Sequence, residues 1–401
     1  MVRSFLNRLF DVCMFVVIGI LSLSTRVVGA AEQVHFSDFD EADKISNTWS
    51  VTTTTIPAAD DPQNGNNPRR KPLIKKKPRR FLGEFANETV SLSLKSLPKH
   101  DFVRVSFDLL ILKQWQGLDG NGDTGVGYSA HSWGMQMDEG PLLLHSAFSN
   151  MNLRVSPRQD NRRQTFPTLL PGERVAVRSR AVENNTLGYA DAGGDSIYKM
   201  KFLIPHEAAT VRFNFFGENL SQVEEMSWGL DNVRVEVLAA AEVPVLDAVA
   251  LKDVWEDLAG ADPMKAYDAG WKMIASPDVT LEQSGKFLST LGVLPAKKTL
   301  QEKVQSHVKL LDANEFRARE RATKNLIALG PPAVPFMRRE LRSSKSPEAR
   351  SRLELLLVQI DDIDPLTLDE DSRRRERLSA VLGIINNGAA QRLLDQYYPD
   401  R

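Results

Sequence analysis

The chain has 401 residues, 51 Lys and Arg against 52 Asp and Glu, and one cysteine, for a formal charge of −1. That balance gives no general attraction to nucleic acid, and one cysteine cannot build a disulfide framework or a cysteine zinc site. The length suits two domains, with three the upper figure.

Residues 1–30 read as a secretory signal. Arg3 and Arg8 form a basic start, Val12 to Ser24 is an apolar run of 13 residues, and Val28-Gly29-Ala30 offers small residues for cleavage after Ala30. The run is shorter than the ~20 residues of a spanning helix, so no integral span is expected after cleavage. Cys13 lies inside the run rather than at its end, which argues against a lipid anchor and leaves the mature chain without cysteine. Hydrophobic cores or bound metal must then hold the exported parts, and thiol chemistry is excluded. The mature chain carries 48 basic and 51 acidic residues.

Residues 31–51 hold a first strand around Val34 to Phe39. Residues 52–80 have the composition of a disordered loop: four threonines, Asp60-Asp61-Pro62, an Asn-Gly stretch, then eight Lys and Arg from Arg69 to Arg80 without an acid. Such a run is either a solvated insertion or a contact for a polyanion.

From Phe81 to Leu238 apolar residues alternate with period two, as in Thr89 to Leu94 and Val103 to Leu109. Further strands are expected at Trp133 to Met137, Leu142 to Phe148, Tyr198 to Ile204, Thr210 to Phe216 and Asn232 to Val237, separated by Gly, Pro and Asp turns. The pattern predicts an antiparallel jelly-roll β-sandwich over 81–238.

Two features have the residues of a calcium site. Asp119-Gly120-Asn121-Gly122-Asp123 places Asp119, Asn121 and Asp123 at alternate positions of a glycine-flexed loop. It is not an EF-hand, which needs Gly where Thr124 stands and Glu where Ala130 stands. Asp231 and Asn232 are the second candidate, with Glu224, Glu225 or Asp108 as partners. Asp, Asn and Gly are also plain turn formers. Trp115 and Trp133 are candidate sugar-stacking residues, whereas Trp228 reads as core.

After the linker 239–245 the period becomes 3.6. Leu246 to Leu258 precede Gly260, Pro263 starts a helix to Ile274, and Pro277 starts another. Glu315 to Leu341 reads as two helices about Gly330-Pro331-Pro332, with Phe316, Ala322, Leu326 and Leu329 as one apolar face. A further helix runs from Pro347 to Ile360. Arg375-Glu376-Arg377-Leu378 echoes Arg319-Glu320-Arg321-Ala322 after 56 residues, predicting a helical repeat domain over 246–398. The alternative is a compact bundle.

Chemistry-bearing motifs are missing. Gly120 to Gly125 fits G-x-G-x-x-G but lies in an all-β region without a following helix. No G-x-S-x-G, H-E-x-x-H or Walker loop occurs, and His35, His100, His131, His145, His206 and His307 lack metal-ligand spacing.

Phe81-Leu82-Gly83-x-Phe85-x-Asn87-x-Thr89-Val90, Val105 to Leu109, Gly140 to His145 and Ser227-Trp228-Gly229-Leu230-Asp231-Asn232-Val233 together resemble a concanavalin-like module of exported bacterial proteins, notably of planctomycetes. The stretch is also distantly similar to MAM and laminin-G modules. This resemblance implies a jelly roll that binds glycan or protein. The related modules carry Trp-Asp-Gly-Asn where this chain has Trp115-Gln116-Gly117-Leu118, which weakens a ligand at 116. Residues 315–341 and 375–394 resemble HEAT repeats of the phycobilin-lyase type, implying a scaffold for a protein partner. The expectation is an exported non-catalytic binding protein; an envelope assembly component is the alternative, and a polysaccharide-active enzyme the outsider.

Overall fold

The computed structural model of the chain describes residues 31–41, 45–57, 59, 79–118, 131–151, 162–170, 173–292, 297–329, 333–361 and 368–398. Residues 1–30, expected to be a secretory signal, most of the basic run, the Asp119–Asp123 loop and the Gly330-Pro331-Pro332 turn lie outside the described residues.

Antiparallel strands fill residues 32–238 and helices follow from 248 to 397. The strands are β1 (Glu32–Ser37), β2 (Thr54–Thr55), β3 (Phe81–Phe85), β4 (Thr89–Lys95), β5 (Phe102–Lys113), β6 (Ser132–Met137), β7 (Leu142–Ala147), β8 (Arg162–Gln164), β9 (Val175–Ala176), β10 (Glu183–Asn184), β11 (Asp195–Pro205), β12 (Thr210–Glu218) and β13 (Met226–Leu238). A seven-stranded sheet runs β10-β11-β5-β13-β3-β2, with β1 also paired to β13. Facing it is a four-stranded sheet, β4-β12-β6-β7.

β13 organises the larger sheet. One edge pairs with β5 along its length; the other takes β3 at Trp228 to Leu230 and β1 at Val233 to Val237. The β5 register slips between Asp231 and Arg234, where Asn232 has φ +52°. The extra residue keeps Leu230 and Val233 both turned inward despite their odd spacing.

Of the loop expected over 52–80, residues 58 and 60–78 lie outside the described residues, while Thr54 and Thr55 at its start form a short strand. Thr54 and Thr55 pair with β3, Arg80 Nη1 donates to Thr54 Oγ1 at 3.1 Å, and Arg79 lies 3.4 Å from Glu183. Backbone pairing to β3 makes Thr54 and Thr55 strand rather than linker.

Helices α1 (Ala248–Ala259), α2 (Pro263–Ile274), α3 (Pro277–Leu291), α4 (Lys297–Leu310), α5 (Phe316–Leu329), α6 (Val334–Ser343), α7 (Pro347–Asp361), α8 (Glu370–Ile385) and α9 (Gly388–Tyr397) follow. Local chemistry sets their starts. The Asp262 carboxylate accepts from Met264 and Lys265 N–H ahead of Pro263, and the Asn387 side chain does the same for Ala389 and Ala390.

The helices form two bodies. α1, α2, α3, α8 and α9 share one continuous core with the sandwich, whereas α4 to α7 have their own core around Val304, Leu326, Met337 and Leu353. The smaller sheet leaves part of the larger sheet's inner face for helices to cover. There Phe202 of β11 packs against Trp271 of α2 with ring centroids 4.9 Å apart, and Phe166 against Tyr267 at 5.6 Å. Each such ring contributes roughly 1.5–3 kcal/mol of burial.

The β and α parts meet across the chain's change of character at 239–245: Arg377 of α8 and Glu173 of the sandwich form an ion pair of 2.8 Å with side-chain exposures of 0% and 5%. The echo between Arg319 and Arg375 is no structural repeat, because the two segments belong to different cores. Arg317 and Arg321 of α5 are exposed, while Arg373, Arg375 and Arg377 of α8 are buried. These α8 arginines serve helix C-termini. Arg373 Nε donates to Ala259 O, Arg377 Nη1 to Leu258 O and Gly260 O, and Arg375 Nη2 to Gly292 O and Tyr397 O. Cations there satisfy orphan carbonyls and oppose the helix dipoles of α1, α3 and α9. Phe316, expected on an apolar face, is 63% exposed because it opens α5 beyond the core.

Candidate binding site

The tryptophans proposed for ligand contact are core residues. Trp115 is 0% exposed and donates its indole N–H to Ser227 O at 2.8 Å, against the edge of Phe148. Trp133 is 0% exposed between Phe107, Phe215 and Trp228. Neither ring shows a face to solvent, so stacking on a sugar at either is corrected. Trp228 is core as expected, bonded to Ala86 O.

Asp119, Asn121 and Asp123 lie outside the described residues. Asp231 and Asn232 make their hydrogen bonds within the sheet. The Asn232 amide nitrogen donates to Asp108 Oδ2 at 2.9 Å, and Asp231 Oδ1 accepts the Asn232 backbone N–H at 2.8 Å. Calcium takes six to eight oxygens, and among the described residues no group of three or more His, Cys, Asp or Glu is placed to hold a metal ion. Glu224 and Glu225 do not join Asp231 in such a group. Burial pushes the Asp231 carboxyl up to about 7, with Asp108 acting in the same direction against the Asn232 N–H.

Glu84 anchors a second polar cluster. Lys113 Nζ and Ser227 Oγ reach its Oε2 at 2.5 Å each, and Tyr189 O–H donates to its Oε1 at 2.6 Å. Both oxygens are engaged by the protein, so the cluster stitches β3, β5 and β13 together.

The outer face of the four-stranded sheet is different. Strand alternation sends Phe213 and Phe215 into the core and turns Asn214, Phe216 and Glu218 outward. Phe216 pairs across the sheet with Gly134 of β6, which is opposite His145 of β7. A Cβ on Gly134 would lie 2.4 Å from the Phe216 ring, so only glycine lets that half-buried ring lie down on the sheet. The His145 ring is 6.0 Å from it, tilted by 35°.

Beside this platform is a shallow cavity of about 200 Å³ lined by Leu118, Ser132, His145, Ala147, Thr165, Glu218 and Asn219. His145 Nε2 lies 3.0 Å from both Ser132 Oγ and Glu218 Oε2. A serine relay needs base and orienting acid on opposite imidazole nitrogens. Here both partners converge on Nε2, and a nitrogen donating to Glu218 cannot accept the serine proton. The trio fixes an imidazole beside the cavity. Thr165 N–H bonds to Ala147 O at 3.0 Å and its hydroxyl accepts Ala147 N–H at 2.8 Å, sealing the edge of β7.

Sequence reasoning passed over Phe216, His145, Ser132 and Glu218. One signal was present: adjacent Phe215 and Phe216 in an alternating strand must point to opposite faces, leaving one aromatic outside. Among the described residues no helix is long and apolar enough to cross a membrane. No family model and no curated protein matches the chain.

Proposed function

We propose that this is an exported, non-catalytic binding protein that holds a glycan on the outer face of its four-stranded sheet. One observation carries the reading: a half-buried aromatic ring lies flat on Gly134, next to a shallow cavity lined by hydroxyl, imidazole, amide and carboxylate groups. A flat apolar face bordered by a few hydrogen-bonding groups suits a sugar ring. The concanavalin-like and MAM-like character of residues 81–238 supports the same reading, as does the signal-like leader for export. Among the described residues Glu218 is the only carboxylate lining the cavity, whereas glycoside hydrolysis uses a pair.

The protein-contact role expected of the helical half falls to α4 to α7. The other helices are committed to the sandwich core.

The test is a glycan array probed with the full mature chain and with Phe216→Ala, each with calcium and with chelator. The expected result is retention by the wild type that Phe216→Ala loses. Loss with chelator alone would give calcium a role and direct attention to Asp119, Asn121 and Asp123. An array without signal in either condition would favour the envelope-assembly reading, in which both parts make only protein contacts.

A further inference from the structure

Between α3 and α8 the chain leaves the common core, builds α4 to α7, and returns. That inserted body completes no other core: its buried residues, among them Val304, Leu326, Met337 and Leu353, form a cluster of their own. It also differs in charge. Residues 297–361 hold 14 Lys and Arg against 8 Asp and Glu, a formal +6 in a chain whose total is −1.

Part of that excess is arranged on one helix face. Arg317, Arg321 and Lys324 of α5 are exposed and recur at spacings of four and three, so they form one stripe. Among the described residues none of the three forms an ion pair. Two neighbouring acids, Glu320 and Glu348, are already held by Arg352. At the N-terminal end of the stripe two large apolar side chains flank the α4–α5 turn, Leu310 at 45% exposure and Phe316 at 63%. Arg319 keeps that turn in place by donating to Ala313 O and Asn314 O.

We infer that the α5 face of this body docks an acidic, leucine-bearing segment of a partner protein. The stripe supplies charge complementarity, and Leu310 and Phe316 supply the apolar anchors that a purely ionic polymer would leave unused. The inference rests on assigning the protein-contact role to α4 to α7 and is independent of the glycan reading.

The probe is a fluorescein-labelled peptide of about 20 residues repeating Glu-Glu-Glu-Leu, followed by anisotropy with the full mature chain at about 50 mM salt, where exposed charges are weakly screened. Controls are a poly-Glu peptide of equal length and heparin. The triple variant Arg317→Glu/Arg321→Glu/Lys324→Glu should weaken the leucine peptide about tenfold or more. Phe316→Ala should weaken it several-fold while leaving heparin unchanged. Lys265→Glu/Lys272→Glu, a charge reversal on α2, should leave it unaffected, and helical circular dichroism confirms that each variant is folded. Binding of no probe would overturn the docking assignment itself. Heparin or poly-Glu binding as tightly as the leucine peptide, with Phe316→Ala indifferent, would keep a docking surface but overturn the acidic protein segment as its occupant.

Discussion

Arg377→Met should be among the most damaging single substitutions in the protein. The Arg377 guanidinium is fully buried, sits 2.8 Å from Glu173, and also bonds to Leu258 O at 2.8 Å and Gly260 O at 2.7 Å. Removing it strips a buried carboxylate of its guanidinium and frees two carbonyls at the end of α1. Breaking one side of a buried pair costs about 3–5 kcal/mol, whereas replacing both partners by apolar groups is often neutral. Arg377→Met alone is therefore expected to lose about 3–5 kcal/mol and Arg377→Met/Glu173→Met to recover most of it. Urea unfolding followed by tryptophan fluorescence reads the loss directly. The buried tryptophans of the sandwich and the half-buried Trp255 and Trp271 of α1 and α2 should report one transition, because they line one core. A cost below about 1 kcal/mol, or a double variant no better than the single, would refute a load shared across the β–α interface.

Asp231→Asn should change the pH dependence of stability. The folded-state value of about 7 lies above the ordinary 3.8, so the folded chain holds more protons between those limits. The wild type thus loses stability relative to the variant as pH rises from 4 to 8, by on the order of 3–4 kcal/mol at most; denaturation midpoints that track each other across the range would contradict this. His35 should act in the opposite sense. Burial lowers it to about 4, so its contribution is lost as pH falls from 6.5 through 4, and His35→Gln should flatten the acid side of the profile. Gly134→Ala should lift the Phe216 ring and abolish glycan retention while Tm falls only modestly; unchanged retention would remove Phe216 from the site. Leu326→Ala, at a fully buried position in the second core, should cost α4 to α7 about 2–5 kcal/mol. Hydrogen exchange should show that loss in these helices and not in β5 or β13.

What the sequence disclosed and what it hid divide along the range of the interaction. The start of α2 was readable because Asp262 and Pro263 act within one turn, and β12 because Thr210 to Phe216 alternates strictly. The burial of Trp115 was not readable, since its partner, Ser227 O, lies 112 residues away. The arginines of α8 were misread as a repeat signature for the same reason. Their acceptors, Ala259, Leu258, Gly260 and Gly292, become neighbours only when α1 and α3 pack against α8. A charged Arg-Arg-Arg-Glu-Arg run normally marks a solvated face, and only tertiary contact reveals it as buried caps. The platform was half legible: the adjacent phenylalanines were visible, but the glycine beneath the outer one sits on a neighbouring strand.

Equilibrium binding of an array-selected glycan to the wild type, Phe216→Ala and Trp115→Phe tests the central claim most directly. The account predicts that Phe216→Ala weakens binding about tenfold or more, the value of a lost stacking face and its hydrophobic contact, while Trp115→Phe retains it as long as the chain is folded. The reverse pattern, with Trp115→Phe impaired and Phe216→Ala intact, would contradict a site on the outer face of the four-stranded sheet.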